Sequence, residues 1–231
     1  DAITTGSYNV ALGYNALTTE DTGSRSIAIG YFALSTQNYD GDAYNVAIGH
    51  AAGQLITTGV QSTIVGGLAG DALTTGGSNV ALGYSALSSE DTGARNTALG
   101  YNSLLSLNFD GNGYNTAVGY DSGRFISTGV QNTIMGSLAG DSLTTGSRNV
   151  AIGYLALSSE DGHGRNVAVG WSALASQDTG ADSYNVAVGY YAGALLTTGS
   201  LNTIMGGLAG DAFTTAERNV AIGYGSLSGE D

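Results

Sequence analysis

Asn9-Val10-Ala11-Leu12-Gly13-Tyr14 opens a motif that the 231-residue chain repeats to its end. Related motifs start at Ser26, Asn45, Ser62, Asn79, Asn96, Asn115, Asn132, Asn149, Asn166, Asn185, Asn202 and Asn219, making thirteen copies. Their starts are separated by 17, 19, 17 and 17 residues, and this cycle then recurs, so a 70-residue super-repeat overlies the short one. It divides the chain into 1–70, 71–140, 141–210 and a partial copy over 211–231. No linker or shift in composition interrupts the series, so the sequence predicts a single repeat domain over 1–231.

Each column of the repeat has a physical meaning. The fifth motif position is Gly in every copy, among them Gly13, Gly30, Gly49, Gly83, Gly100 and Gly153. A Gly that admits no exception implies positive φ or close backbone approach. The second and fourth positions are mostly aliphatic, and the third is Ala in ten copies and Ile in Ile64, Ile134 and Ile204. Alternation with period 2 over a short run predicts a strand at each motif. Thr-Thr-Gly and Asp-Gly segments between motifs supply turn chemistry. One such unit cannot bury an apolar face alone, but stacked units can. The expected fold is therefore all-β, a parallel β-solenoid of about thirteen coils of 17–19 residues. With neighbouring strands about 4.8 Å apart, thirteen coils would give a rod of roughly 60 Å.

The first motif position forms an Asn column: Asn9, Asn45, Asn79, Asn96, Asn115, Asn132, Asn149, Asn166, Asn185, Asn202 and Asn219. Stacked coils would turn it into a side-chain ladder, weakened where Ser26 and Ser62 stand instead. The chain opens mid-pattern without an initiating Met and shows no end cap. It reads as a processed product or a fragment, continuing beyond both ends or joining end to end.

Composition excludes several function classes. The chain has 38 Gly but no Pro, which rules out collagen. Without Cys it has no disulfide framework, thiol chemistry or thiolate metal site. Its six basic residues are all Arg, and the net charge is −13. That balance disfavours nucleic acid and anionic membrane as partners, and favours solubility and cation attraction. No apolar run approaches the roughly 20 residues of a membrane helix, and no signal peptide is evident.

The segments Asn9-Val10-Ala11-Leu12-Gly13, Asn45-Val46-Ala47-Ile48-Gly49 and Asn149-Val150-Ala151-Ile152-Gly153 resemble the head repeats of trimeric autotransporter adhesins. The fuller run Thr145-Gly146-Ser147-Arg148-Asn149-Val150-Ala151-Ile152-Gly153-Tyr154-Leu155-Ala156-Leu157 is similar to repeats of phage tail fibres and bacterial surface proteins that end in a self-cleaving chaperone domain. The resemblance covers essentially the whole chain, although the coil is longer than in the adhesin heads. It implies a left-handed β-roll, usually trimeric, that gives reach and attachment outside the cell, on a cell surface or virion. The partners it implies are further copies of the chain, in a homotrimer or an end-to-end filament, and a host-surface glycan or protein receptor.

Several groups are candidates for chemistry. His50 sits in a Tyr column and His163 in a Gly-rich turn, and neither has a triad around it. The carboxylates recur as a lattice rather than as one unique pair, so the expectation is a non-enzyme without cofactor. Glu20-Asp21, Glu90-Asp91, Glu160-Asp161 and Glu230-Asp231 return every 70 residues. Arg25, Arg95 and Arg165 follow four residues after the Asp in three of them, reading as local ion pairs in solvated turns. On that reading chelators leave thermal stability nearly unchanged. Asp40, Asp42, Asp110 and Asp182, in oxygen-rich Gly turns, are candidate Ca²⁺ ligands, with no full calcium-loop pattern.

Tyr14, Tyr31, Tyr84, Tyr101, Tyr120, Tyr154, Trp171, Tyr190 and Tyr224 follow the Gly column and should align in a stripe. The stripe would pack on a partner chain or bind glycans, with Tyr84, Tyr101, Tyr120, Tyr154, Trp171 and Tyr190 as its candidate sugar contacts. Thr pairs such as Thr4-Thr5 and Thr144-Thr145 raise an ice-binding alternative, weakened because adjacent residues point to opposite faces. No charge falls in any five-residue motif, and the Ala and Gly positions look small enough for a partner to approach. The small-residue face or the Tyr stripe is thus the expected trimer contact.

Overall fold

The computed structural model describes residues 3–229. Among them are thirteen strands of three residues each, all at the predicted motifs, and no helix. It follows that no helix is long and apolar enough to cross a membrane. The strands are β1 (Val10–Leu12), β2 (Ile27–Ile29), β3 (Val46–Ile48), β4 (Thr63–Val65), β5 (Val80–Leu82), β6 (Thr97–Leu99), β7 (Thr116–Val118), β8 (Thr133–Met135), β9 (Val150–Ile152), β10 (Val167–Val169), β11 (Val186–Val188), β12 (Thr203–Met205) and β13 (Val220–Ile222).

The chain forms two compact units, one reaching to Tyr114 and the other beginning at Asn115. In the first, β1 to β6 stack in sequence order, each parallel to the next and in strict register, as in Ala11↔Ala28 and Ala28↔Ala47. In the second, β7 to β13 do the same, with Ala151↔Ala168 and Ala168↔Ala187 aligned. Each unit is thus a β-solenoid with one strand per coil.

The Gly column has the predicted cause. Gly153 has φ 131°, a region L-residues rarely adopt. A Cβ there would overlap the carbonyl oxygen of Gly170 in the next coil. Two further columns lie in the left-handed region without being Gly. One precedes the motif, as in Tyr8 (φ 61°), Arg25 (64°) and Arg148 (61°). The other carries Leu17 (φ 51°), Leu34 (48°), Leu87 (56°) and Leu157 (51°). These bends turn the chain sharply enough to close a coil within 17 residues.

The strand faces are the reverse of the expected arrangement. The Ala column points inward: Ala28, Ala47, Ala81, Ala151, Ala168 and Ala187 are fully buried. The aliphatic positions beside it face outward and are half-buried or exposed, with Leu12 at 65%, Ile48 at 37% and Met205 at 43%. The reason is space. Each interior is filled by one or two large side chains from the turns rather than from the strand. Leu17, Leu34, Leu87, Leu157 and Leu174 do this from the left-handed column, and Ile56, Ile126 and Leu196 from a neighbouring position. Where the strand does insert Ile64 or Ile134, the left-handed column carries Gly70 or Gly140, and a Cβ there would collide with Leu73 or Leu143. Each filled position contributes roughly 1.5–3 kcal/mol, so the core is thin but continuous within a unit.

Candidate functional site

The Asn column is built as a ladder, in a form richer than amide-to-amide stacking. Asn132 Oδ1 accepts the backbone N–H of Asn149 at 2.9 Å, and its Nδ2 donates to Gly146 O at 2.9 Å. Asn9, Asn45, Asn79, Asn115, Asn185 and Asn202 make the same pair of bonds to the following coil. Asn149 and Asn166 likewise accept the next N–H of their column at 3.0 Å. The Asn219 N–H donates to Asn202 Oδ1 at 2.9 Å, and Asn96 lies fully in the buried line. The Ser positions are patched rather than broken. Ser62 Oγ accepts from Asn79 N–H at 3.2 Å, and Gln37 reaches from Ser26 Oγ to Asn45 Nδ2. These bonds satisfy buried polar groups whose loss would cost about 1–3 kcal/mol each.

The outer flank carries the aromatic stripe. Tyr14, Tyr31 and His50 stack with centroids 5.4 Å apart and nearly parallel planes. Tyr84 and Tyr101 stack at 5.6 Å, and Tyr154 and Trp171 lie at 4.6 Å. His50 therefore substitutes for a ring in the stripe. Tyr120 and Tyr190 are also exposed. The stripe is interrupted at every fourth coil, by Gly67, Ser137 and Gly207. Parallel rings cover one another's faces and offer solvent mainly their edges, which is poor geometry for stacking a sugar. A second aromatic column went unread in the sequence: Tyr8, Tyr44, Tyr114 and Tyr184, just before the motif. It interleaves with Arg, since Arg25 lies over Tyr8 and Tyr44, Arg95 over Tyr114 and Arg165 over Tyr184. The 70-residue spacing of Tyr44, Tyr114 and Tyr184 was its signal.

The first Thr of the pairs does not form a free array. Thr4, Thr57, Thr74, Thr144 and Thr197 each donate their hydroxyl to a backbone carbonyl of the next coil.

The acidic corners differ from their reading as solvated ion pairs. Glu20, Glu90 and Glu160 are 0% exposed. Glu20 Oε1 accepts the Gly23 N–H at 2.7 Å, while its Oε2 accepts from Gln37 Nε2 at 2.9 Å and Tyr39 N–H at 3.3 Å. Glu90 accepts the N–H groups of Gly93 and Phe109. Burial pushes the Glu90 carboxyl up, partly offset by these N–H groups. The Arg residues pair elsewhere. Arg25 Nε meets Asp42 of the following coil at 2.9 Å, Arg165 meets Asp182, and Arg95 donates to the Tyr114 hydroxyl at 2.6 Å. The bond to Asp42 raises the Arg25 pKa. Glu230 and Asp231 lie outside the described residues.

The calcium candidates are spread out and engaged. Asp42 and Asp182 face Arg, while Asp40 and Asp110 accept hydroxyls from Thr22 and Thr92 at 2.6 and 2.5 Å. Among the described residues, three potential metal ligands converge at one place only: Glu160, Asp161 and His163, whose donor atoms all lie within 4.8 Å of one another. The Glu160 carboxyl is pushed up to about 7, first by burial and then by Asp178, Asp161 and Asp182 around it, against the His163 N–H. Asp71 and Asp141, at another turn, are also raised by burial.

No protein-family model, characterised relative or solved structure matches the chain.

Proposed function

We propose that this chain is a non-enzymatic structural segment of an extracellular fibre or adhesin, giving reach and attachment as a self-associated rod. One observation carries the reading. The strand face that points outward is aliphatic and flanked by the ring stripe, and recurring apolar side chains left half-buried or exposed on one face mark an interaction surface. Val10, Leu12, Ile48, Leu99, Met135 and Ile222 all belong to that face and are exposed. The partner is another copy of the chain, and the number three follows from the resemblance to adhesin heads. The surface that associates is then the aliphatic face with its ring flank; of the two surfaces expected from sequence, the Ala–Gly face is inside the coil and the Tyr stripe remains available. A host glycan or protein receptor would meet the assembled rod at surfaces left over.

Light scattering with sedimentation on the isolated chain tests this. The expected species has three times the 23.1 kDa chain mass, and it should appear as rods by electron microscopy. A folded monomer at micromolar concentration would remove the basis for the reading. The alternative, a glycan-binding or ice-binding solenoid, is supported only by the exposure of the stripe, and the stacked rings and engaged Thr hydroxyls weigh against it.

A further inference from the structure

Three corners of the solenoid are built from equivalent segments: Glu20-Asp21-Thr22-Gly23, Glu90-Asp91-Thr92-Gly93 and Glu160-Asp161-Gly162-His163. In the first two the buried carboxylate is held by donors on both sides. At Gly23 or Gly93 an added Cβ would run into the carboxyl group of Glu20 or Glu90. The third corner has a side chain at that position, and it is an imidazole. Glu160 Oε1 accepts only the His163 N–H, lengthened to 3.2 Å, and no described protein group donates to its buried Oε2. The groups that serve Glu20 have changed or turned away. The Thr179 N–H, at the place of the Tyr39 N–H, makes no bond to the carboxylate, and Gln177, at the place of Gln37, donates instead to Thr197 O at 2.9 Å. His163 Nδ1 is likewise buried without a hydrogen-bond partner, 3.7 Å from Glu160 Oε1. Asp161 adds an exposed carboxylate to the same cluster.

We propose that Glu160, Asp161 and His163 bind one divalent first-row transition ion of the Zn²⁺ type. The donor set decides the class. An imidazole nitrogen with two carboxylates suits zinc, nickel or copper, whereas calcium takes oxygen ligands only. The geometry agrees, because two donors on one tetrahedral zinc lie about 3.4 Å apart, close to the 3.7 Å between Nδ1 and Oε1. Three protein ligands leave a fourth position for water. The negative surroundings, with Asp178 and Asp182 of the next coil acting on Glu160, favour a cation at this corner. The ion supplies the partner that the buried His163 Nδ1 lacks. The first two corners, complete without it, bind none. Nothing in this assignment depends on the assembly proposed above.

Calorimetric titration of the untagged full chain with ZnCl₂ tests the site, with the histidine side-chain resonances as a second readout. The expected result is one ion per chain, a shift of the His163 signals with those of His50 unmoved, and a raised melting temperature. His163→Gly restores the residue of the other two corners and should fold normally. It should weaken binding by more than roughly tenfold, since loss of even an outer-shell partner costs that much. Glu160→Gln should weaken binding too, while His50→Ala should leave it unchanged. Absence of saturable binding, equal affinity in His163→Gly, or displacement of Zn²⁺ by millimolar Ca²⁺ would each overturn the assignment.

Discussion

The inner and outer faces of a single strand differ in a direction opposite to the usual rule. Around β9, the inside holds Ala151, the ladder amide of Asn149 and, at the corner, the carboxyl of Glu160, all essentially inaccessible. The outer positions beside them are Val150 and Ile152, with the Tyr154 ring on their flank. The interior is set by coil spacing and by the Leu side chains that arrive from the turns, so the strand contributes only methyl groups to it. The larger apolar groups remain outside, where a chain that worked alone would have little use for them. The inside therefore specifies the coil, and the outside specifies what the coil meets.

The largest effect should come from the backbone that sets the interior width. Gly153→Val puts a branched side chain at φ 131° and against the Gly170 carbonyl. The expected outcome is loss of the cooperative melt, a cost beyond about 4 kcal/mol. Ser89→Ala, on an exposed turn, should fall within about 0.5 kcal/mol of the parent chain. Similar melting midpoints for the two would remove the role assigned to the Gly column.

Next in size is a direct exchange across the strand. Ala151→Leu overpacks a fully buried position in register with Ala168 and should cost about 3 kcal/mol. Ile152→Ala, one residue on, removes an outward side chain and should cost less than about 1 kcal/mol in chains kept unassociated by dilution. Denaturant unfolding of both variants would show whether the faces are as unequal as their burial.

The strands and the Gly column were legible because backbone geometry imposes them on every copy, and the Asn ladder because only Ser26 and Ser62 interrupt it. The choice of face was not. Alternation in Asn149-Val150-Ala151-Ile152-Gly153 divides the residues into two sets but does not say which set points inward, and the preference for burying aliphatic residues selects the wrong one. What overrides it is Leu157 and its equivalents, which occupy the interior from a left-handed conformation that Leu seldom adopts. The buried Glu was missed for a related reason: carboxylates are ordinarily solvated, and Arg25 stood close enough in sequence to suggest a local pair. The signal was Gly23 and Gly93, each three residues after a Glu and small enough for its N–H to meet the carboxylate. The corner where His163 stands in their place could then have been singled out.

A buried carboxyl should also leave its mark on stability as pH changes. The Glu160 carboxyl sits at about 7 against an ordinary 4.5. Its ionised form is disfavoured in the fold, so the native chain holds the proton more tightly than the unfolded chain does. The contribution of Glu160 to stability is therefore most favourable below about pH 4.5, falls as pH rises towards 7, and levels off above. The loss amounts to at most about 3 kcal/mol, and nearer 2 because the corner opens to water beside Asp161. Melts in chelator across pH 4–8 should show this slope in the parent chain and a flatter one in Glu160→Gln. Identical slopes would mean that Glu160 is solvated after all.

The smallest effect on the chain itself should carry the most information about its role. Ile152→Lys places a charge on the outer face, where half-buried Ile152 contacts solvent as well as neighbouring coils. In an isolated coil the Lys can extend into water along its aliphatic stem, so intrinsic stability should shift by no more than about 1 kcal/mol. In an assembly through this face the same ammonium would be removed from water without a partner, at a cost of several kcal/mol per buried ion. The variant should therefore fold with little change in its melt when dilute, yet sediment as a monomer at concentrations where the parent chain associates. A variant that stays associated would place the contact elsewhere, on the ring stripe or the Arg–Tyr column. In that case Trp171→Ser and Tyr184→Ser become the discriminating pair, because each removes a ring from one of those columns and leaves the strand face intact.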